Sequence, residues 1–359
     1  MSNYNERGMS RVYGWDFLRG LCALAVGLYH LLMWLQMVEW YSFGSYGVYL
    51  FFVLSGASLA YTYGNKISQG NFVFWKFLGM RYARLAPLYI LLMFLILPWK
   101  IMKDGATASL MKIFLMNGFF IFGFFDPAVN SILIGGWSLG IEFVYYFLFP
   151  LILFFVLKCH FSIIVFMTAV LVQFWWIYHT IGLPSGYAQN ATEFHHPQAF
   201  IAYFVGGCIL GNLRRGQKFL VMPAHVFAIF VLCGFSIIAT LTSVGAGDEL
   251  LGMRGAFGFV VCFFLVWVAG AADLKKKYAR TAQLLGDATY GLYLIHPVVF
   301  FGLIWVIFPR IGFSDPASWC VSLRIAMVVV ILAVSFLLAL VSEKYFENPI
   351  RKRLKKAFA

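Results

Sequence analysis

Charged residues are scarce in this chain: 11% of its 359 residues are Asp, Glu, Lys or Arg, whereas 62% are hydrophobic. This composition excludes an ordinary water-soluble domain, in which about a quarter of the residues are charged. It also excludes a disordered chain, which needs high net charge and few apolar residues. The chain is therefore predicted to be an integral membrane protein.

Acidic residues are the rarer charged class, with 14 Asp and Glu against 27 Lys and Arg, which gives a net charge of +13. A strongly basic chain can indicate nucleic-acid binding. Here most of the Lys and Arg lie in segments between apolar stretches, and cytoplasmic loops collect these residues. Membrane topology therefore explains the charge, and no nucleic-acid partner is expected.

Patterned cysteines, internal repeats and a cleavable leader are also lacking. The six cysteines show no zinc or disulfide spacing, no repeat of fixed period is visible, and the first apolar stretch lacks a signal-peptide cleavage pattern. No metal site is expected at Glu193, His195 and His196, because two of the three are adjacent and further ligands are not suitably spaced. We expect one polytopic domain, residues 1–343, followed by a basic cytoplasmic tail, residues 344–359.

Apolar stretches of roughly 17 to 25 residues, the length that crosses a bilayer, occur about ten times. They predict an all-α integral membrane protein with about ten transmembrane helices in one bundle. The predicted spans are 14–36, 45–63, 84–102, 139–157, 161–179, 198–212, 221–242, 250–270, 288–309 and 321–342. The stretch 107–125 is short and broken by Gly and Asn, which indicates a re-entrant or surface helix, with an eleventh span as the alternative.

The distribution of Lys and Arg favours ten spans. With ten spans and both termini in the cytoplasm, most of these residues face inward, whereas an eleventh span would invert every later loop. We therefore expect a multi-pass protein of the cell (inner) membrane. Oligomeric state is left open.

Some ionisable side chains lie inside predicted spans, where they are costly and usually mark a site or an ion path. Arg19 and His30 are eleven residues apart in the first span, so they share a helix face about 16 Å apart along the axis. Glu142 is the deepest acid and is expected near the outer entrance of the fourth span. Histidine titrates near neutral pH, which suits proton transfer in a dry pocket.

Each of these residues also has a structural interpretation. His30 is, on that interpretation, hydrogen-bonded across helices, and Arg19 extends its guanidinium to the membrane surface. Glu142 then forms an ion pair with Arg254 or Arg324, and its removal harms folding rather than turnover.

Five sequence blocks, in order along nearly the whole chain, resemble the membrane-bound acyltransferase family 3. They are WDFLRGLCALAVGLYH with Arg19 and His30, FFVLSGASLAY from residue 51, RYARLAPLY with Arg81 and Arg84, GGWSLGIEFVYYFLFP with Glu142, and YGLYLIHP with His296 followed by the closing EKYFENPIRKRL. Members of that family move acyl groups, commonly acetyl from acetyl-CoA, onto sugars of cell-surface polysaccharides and related acceptors. The resemblance implies an O-acyltransferase fold and activity.

The sequence departs from the family pattern in two places. The block WSLGIEF lacks the second acid that many relatives carry after the Glu, which argues against a two-carboxylate mechanism. Nothing that resembles a soluble esterase-like domain follows the last predicted span in this sequence. The membrane domain itself is therefore expected to reach the final acceptor.

The resemblance, combined with the chemistry of these residues, predicts their roles. Arg81 and Arg84 suit the phosphates of a cytoplasmic acyl-CoA co-substrate, or they serve only as topology anchors; no permanently bound cofactor is expected. His30 is expected to take the proton from a hydroxyl of a carbohydrate acceptor on the outer side, so that the oxygen attacks the thioester. Glu142 is expected to orient His30 or bind acceptor hydroxyls, and Arg19 to hold the donor or balance charge on oxygen.

Three further residues complete the predicted site. Asp16, one turn from Arg19, and Tyr293 are supporting residues. His296 is expected to contact the acyl-CoA arm, or to satisfy a backbone carbonyl that Pro297 leaves free.

Two other functions stay open at the level of sequence. The same buried charges suit the proton relay of a transporter or flippase for a lipid-linked glycan, although no inverted repeat with broken spans is evident. A catalytically idle subunit of a polysaccharide assembly machine is the third interpretation.

Overall fold

The structure is a computed structural model that describes residues 11–183, 194–216, 221–241, 247–274, 276–311 and 316–357. The α-helices in these ranges are α1 (Tyr13–Trp34), α2 (Tyr41–Ser68), α3 (Phe74–Asp104), α4 (Ala108–Gly118), α5 (Pro127–Asn130), α6 (Gly136–Val156), α7 (Cys159–Ile177), α8 (Pro197–Gly216), α9 (Ala224–Thr240), α10 (Gly252–Ala271), α11 (Lys276–Gly302), α12 (Val321–Ser342) and α13 (Asn348–Ala357). The short 3₁₀ or π turns are Ile121–Phe124, Tyr178–Gly182, Asp248–Leu250, Leu303–Ile307, Phe308–Ile311, Pro316–Ser318 and Glu343–Glu347. A two-residue strand β1 (Met222–Pro223) pairs in parallel with β2 (Ala272–Asp273), with Met222 opposite Ala272.

Within the described ranges, eight helical stretches are long and apolar enough to cross a membrane. They contain α1, α2, α3, α6, α7, α10, α11 and α12. The remaining two predicted spans, 198–212 and 221–242, fall on α8 and on the 17-residue α9, which do not meet that criterion. The all-α membrane bundle is confirmed.

The two ends of the bundle can be told apart by their ion pairs and caps. Arg11 precedes α1 and contacts Asp287 near the start of α11, so we call this end the Arg11 face. At the other end, Arg324 of α12 donates to the carbonyls of Leu35 and Gln36, which follow α1. We call that end the opposite face. The ends of α2 and α8, joined by Asn65 and Arg215, and the start of α3 lie at the Arg11 face.

Small residues bring α2 and α8 into close contact. A Cβ added at Gly207 would lie 2.2 Å from the Val53 carbonyl oxygen, and one at Gly56 would lie 2.2 Å from that of Phe204. Helices in membranes associate closely where small residues let the backbones approach. This crossing holds the middle of α2, which carries Ser55 and Ser58, at a fixed depth in the bundle.

The predicted re-entrant or surface helix is present as α4, and the alternative of an eleventh span is wrong. With 11 residues, α4 is about 16 Å long and cannot cross a bilayer. Its buried Asn117 accepts from the Tyr89 hydroxyl of α3, at 2.7 Å, and from the backbone N–H of Ile132. The same side chain donates to the carbonyls of Ile113 and Asn130.

This segment returns the chain to the middle of the bundle before α6 begins. Gly136, the first residue of α6, lies against the Tyr89 hydroxyl, and Tyr89 is fifteen residues into α3, about 22 Å from its start. The helix α6 therefore begins inside the bundle rather than at its opposite face. The start of α3 also differs from the prediction. It lies at Phe74, ten residues before the predicted span 84–102, because the mostly apolar segment FWKFLGMRYA continues the helix despite Lys76 and Arg81.

Candidate active site

A polar cavity of about 380 Å³ lies at the Arg11 face, between the start of α1, the first third of α3, α11 and the segment that joins α12 to α13. Ion pairs occupy part of its wall. Arg11 bridges Asp16 and Asp287, the latter at 2.7 Å, and Arg351 pairs with Glu343. We call this cavity the vestibule. Asp16, Asp287 and Glu343 are thus paired with cations, which are Arg11, Arg19 of α1 and Arg351 of α13.

Arg81 and Arg84 lie one turn apart on α3 and both line the vestibule. Arg81 donates to the Tyr63 hydroxyl and lies over the rings of Tyr63 and Phe77, but its Nε has no described partner. Arg84 is exposed to the vestibule, and among the described residues no hydrogen bond or ion pair uses its guanidinium. Two cations that form no direct ion pair with a carboxylate of the described residues suit an anionic ligand.

A second cavity, of about 90 Å³, lies deeper in the bundle between α1, α2, α3, α6 and α11. We call it the inner cavity. Arg19, Arg81, Arg84 and Tyr290 line both cavities, so they form the boundary between them. A cationic route therefore leads from the Arg11 face towards Glu142 in the wall of the inner cavity.

Arg19 is held at this boundary by three partners. It forms an ion pair with Asp16 one turn earlier, at 3.2 Å, and donates to the Leu54 carbonyl at 3.2 Å and to the Ser58 hydroxyl. The guanidinium thus joins α1 to α2 instead of extending to the membrane surface. Asp16 lies between Arg11 and Arg19 and forms an ion pair with each, so it helps to hold Arg19 in position.

Glu142 lies in the inner cavity, and its expected position near the outer entrance of a span is wrong. Its carboxylate accepts from the Ser55 hydroxyl, at 2.7 Å, and from the Tyr146 hydroxyl one turn later, and it interacts electrostatically with Arg19 and Arg84. The error arose because α6 begins at mid-depth, after the re-entrant segment, and not at the membrane surface.

The expected partners of Glu142 are also different in the structure. None of the described hydrogen bonds joins Glu142 to His30, so the prediction that it orients this imidazole is not met. The alternative ion pairs are wrong as well, because Arg324 bonds to backbone carbonyls at the opposite face and Arg254 interacts with Tyr46.

Tyr293 lines the inner cavity and fixes its far end to the re-entrant segment. Its hydroxyl donates to the carbonyl of Gly135, at 2.8 Å, and lies 2.9 Å from the side-chain hydroxyl of Ser138. Gly135 has φ +76°, and a Cβ there would lie 2.8 Å from the Tyr293 oxygen. A residue without a side chain is required, which matches the GGWSL block.

His30 and His296 form a pair beyond the inner cavity and line neither described cavity. Nδ1 of His30 is 3.0 Å from Nε2 of His296, and Nδ1 of His296 is 2.9 Å from the Leu292 carbonyl oxygen. The His30 ring stacks on Trp34, with 4.9 Å between centroids and 5° between planes. His296 is 1% exposed, whereas His30 is partly exposed. His296 thus contacts His30 and the backbone of its own helix at Leu292 and Tyr293, which agrees with the alternative of a carbonyl that Pro297 leaves free. Its contact with the donor stays a prediction.

The motifs did not single out the small polar residues that hydrogen-bond to the charged side chains. Ser55, Ser58 and Ser138 lie in apolar spans, where a hydroxyl needs a partner, and this signal could have placed them in a polar site. Tyr146 follows Glu142 by four residues, a spacing that puts both side chains on one helix face.

The histidines considered for a metal site have aromatic neighbours. His195 lies against Trp137, with ring centroids 4.0 Å apart, and His196 stacks on Trp176. Glu193, the third member of that cluster, lies outside the described residues.

These features describe a multi-pass membrane protein with a cation-lined route from one face to an interior carboxylate. The chain belongs to the acyltransferase domain family known as acyltransferase 3, whose family model matches residues 12–343. The resemblance inferred from the sequence blocks is thereby confirmed.

Curated relatives are longer proteins. The O-acetyltransferase OatA of Staphylococcus aureus is 26% identical over 376 residues, which cover 96% of this chain and 58% of that protein. A putative peptidoglycan O-acetyltransferase, YrhL, of Bacillus subtilis is 26% identical over 385 residues, with 96% and 56% covered. The peptidoglycan O-acetyltransferase OatA of Listeria monocytogenes is 25% identical, with 94% and 55% covered. The chain thus spans little more than half the length of these relatives. No solved structure gives a significant match.

Proposed function

We propose that this protein transfers an acetyl group from cytoplasmic acetyl-CoA to a hydroxyl of a cell-surface glycan, with peptidoglycan as the first candidate acceptor. The observation that carries the proposal is the cationic route through the vestibule to the inner cavity, bounded by Arg19, Arg81 and Arg84. The family membership supports acyl transfer, and the names of the relatives support O-acetylation of peptidoglycan.

Acetyl-CoA suits the vestibule on grounds of charge. Its phosphates need cations at the face where the donor arrives, and in the described residues Arg84 and Arg81 form no direct ion pair with a carboxylate. Arginine forks bind phosphate oxygens with two parallel hydrogen bonds. In this proposal the narrower inner cavity accepts the uncharged arm, and the thioester at its end has to pass beyond the residues that line this cavity to reach His30.

His30 acts as the general base in this proposal. Its imidazole removes the proton of the acceptor hydroxyl while the oxygen forms a bond to the thioester carbonyl carbon, and the carbon–sulfur bond then breaks. The proton passes from the imidazolium to the departing thiolate, so the products are an ester and the free thiol of CoA. In this proposal Arg19 and Glu142 position the donor and take no part in proton transfer. Arg19 lies about 16 Å from His30 along α1.

The test is acetyl transfer by the purified protein in lipid. The full chain is supplied with isotopically labelled acetyl-CoA and soluble peptidoglycan fragments, and mass spectrometry measures the gain of one acetyl group per fragment. Wild type should acetylate the fragments, and His30→Ala should abolish transfer while keeping the wild-type melting temperature. His225→Ala, an exposed histidine at the start of α9, is the matched control and should retain activity.

Two results would overturn the proposal. Turnover by His30→Ala close to that of wild type would remove the base, and wild-type protein that moves the glycan across a vesicle membrane without acetylating it would favour the transporter. If other glycans are acetylated and peptidoglycan fragments are not, only the choice of acceptor is wrong.

A further inference from the structure

The contact between His30 and His296 allows the ring protons to be assigned, because three of the four ring nitrogens have a defined partner. A neutral imidazole carries its proton on one nitrogen, and the hydrogen bond of the other nitrogen decides which one. The described chain of contacts runs from the Leu292 carbonyl to Nδ1 of His296, and from Nε2 of His296 to Nδ1 of His30. Among these groups, the Leu292 carbonyl is the one whose hydrogen-bonding role does not depend on a tautomer.

A carbonyl oxygen only accepts hydrogen bonds, so Nδ1 of His296 must carry the proton and donate it to Leu292 at 2.9 Å. The imidazole of His296 also interacts with the Tyr293 backbone. The helical partner of that Tyr293 carbonyl is missing because Pro297 has no N–H. The Leu292 carbonyl at Nδ1 therefore fixes the tautomer of His296, and its Nε2 is left with a lone pair.

His296 stays neutral because its surroundings do not favour a charge. It is 1% exposed, and no carboxylate is among its hydrogen-bond or ion-pair partners in the described residues. A buried charge without a counter-ion is expensive in a membrane interior. Nε2 of His296 thus accepts, and Nδ1 of His30 must donate across the 3.0 Å contact.

The proton of His30 is then on Nδ1, and its Nε2 carries the free lone pair. No described hydrogen bond uses this Nε2, and the side chain is partly exposed. The stack on Trp34 holds the ring plane, so the direction of the lone pair is fixed as well. His296 resembles in this respect the residue of a hydrolytic triad that holds the catalytic base in one tautomer.

We infer that His296 is a positioning residue that holds His30 in the Nδ1–H tautomer, so that Nε2 of His30 is the atom that accepts the proton of the acceptor hydroxyl. This inference rests on the proposed function for its chemical meaning. The tautomer itself is a property of the resting protein. When His30 takes the hydroxyl proton on Nε2, it keeps its Nδ1 proton, and the bond to His296 becomes charge-assisted.

The first experiment measures the tautomer without catalysis. The full chain, labelled with ¹⁵N-histidine and reconstituted in lipid, is studied by solid-state NMR, in which protonated and unprotonated ring nitrogens give separate signals. The His30 signals are identified by their loss in His30→Ala. Wild type should show His30 protonated on Nδ1, and His296→Leu should move the proton to Nε2, the form that a free neutral imidazole prefers. Protonation of His30 on Nε2 in wild type would overturn the inference.

The second experiment separates positioning from donor binding by kinetics. His296→Leu should lower kcat by about 10²-fold or more, the usual contribution of a correctly placed general base, with the KM for acetyl-CoA unchanged. His296→Gln should restore most of kcat, because its amide oxygen can accept from Nδ1 of His30, whereas the shorter His296→Asn should not. All three variants should keep the wild-type melting temperature.

The possible failures are distinguishable. A raised KM with unchanged kcat in His296→Leu would assign His296 to the donor and overturn the inference, as would equal losses in the Gln and Leu variants. Full activity of His30→Ala would instead overturn the proposed general base and leave the NMR result intact.

Discussion

Individual residues in this protein act through the partners that the fold gives them. From the sequence, Arg19 is expected inside a span and Arg81 and Arg84 at the cytoplasmic entrance of another, and the structure gives the three cations different environments. Arg19 is saturated by Asp16 and by α2, whereas Arg84 faces the vestibule without a described partner. A cation without a direct ion pair in a cavity is available to an anionic ligand. Arg84 is thus the residue at which the proposed binding of acetyl-CoA is tested most directly.

Arg84→Gln should raise the KM for acetyl-CoA by about 10- to 100-fold, because a hydrogen bond to a charged group contributes that much to affinity. The kcat should change little, since the guanidinium is far from the proposed base. Initial rates at varied acetyl-CoA measure both constants. Lys76→Gln, an exposed cation on the same helix, is the control. An equal effect of both substitutions would show that only the general charge of this face matters.

At the scale of elements, close helix packing sets the depth of the site. The crossing of α2 and α8 depends on glycines that face backbone atoms, and it fixes Ser55 and Ser58 against Glu142 and Arg19. The re-entrant segment acts from the other side, because Asn117 and Gly135 determine where α6 begins. Both features place polar groups by means of backbone contacts.

Gly207→Ala should destabilise the protein by about 1–3 kcal/mol, the usual cost of overpacking, because the new Cβ would meet the Val53 carbonyl oxygen at 2.2 Å. Gly216→Ala, on the same helix but with open space around it, should be neutral or slightly stabilising. Thermal unfolding in detergent, followed by tryptophan fluorescence, compares the two variants. Equal melting temperatures would contradict the close contact between α2 and α8.

At the scale of the whole molecule, the distribution of charge predicts how the bundle is oriented in the membrane. Arg81, Arg84 and Arg351 lie at or near the Arg11 face together with the end of α2. Because Lys and Arg collect in cytoplasmic segments, this face is predicted to be the cytoplasmic one. The proposed donor is made in the cytoplasm, so the vestibule must open to that side. The orientation of the termini is therefore a prediction on which the proposed function depends.

Cys320, exposed beside the start of α12 at the opposite face, should react with a membrane-impermeant maleimide in spheroplasts. Hydrogen bonding with Ser322 lowers the pKa of the Cys320 thiol, which favours the reactive thiolate. Lys66→Cys at the Arg11 face, made in a Cys320→Ser background, should be labelled only after permeabilisation. Labelling in the reverse order would invert the topology and exclude a cytoplasmic vestibule.

The sequence by itself determined that the chain lies in a membrane, that its fold is all-α, and that its motifs are those of an acyltransferase family. Long apolar stretches can exist only as membrane helices, since backbone groups in lipid must be satisfied internally, and ordered motifs are local, so they identified Arg19, His30, Arg84, Glu142 and His296 together with the family. Local patterns cannot measure depth, however, because depth depends on where each helix begins within the bundle.

Only the tertiary structure decided how these residues are grouped. The re-entrant segment starts α6 at mid-depth and thereby moves Glu142 from the expected neighbourhood of His30 to that of Arg19. The packing of α11 against α1 brings His296 to His30 across 266 positions of sequence. Such contacts depend on the packing of distant helices, and that packing, rather than any local spacing, decides which residues line the two cavities and which residues form the imidazole pair.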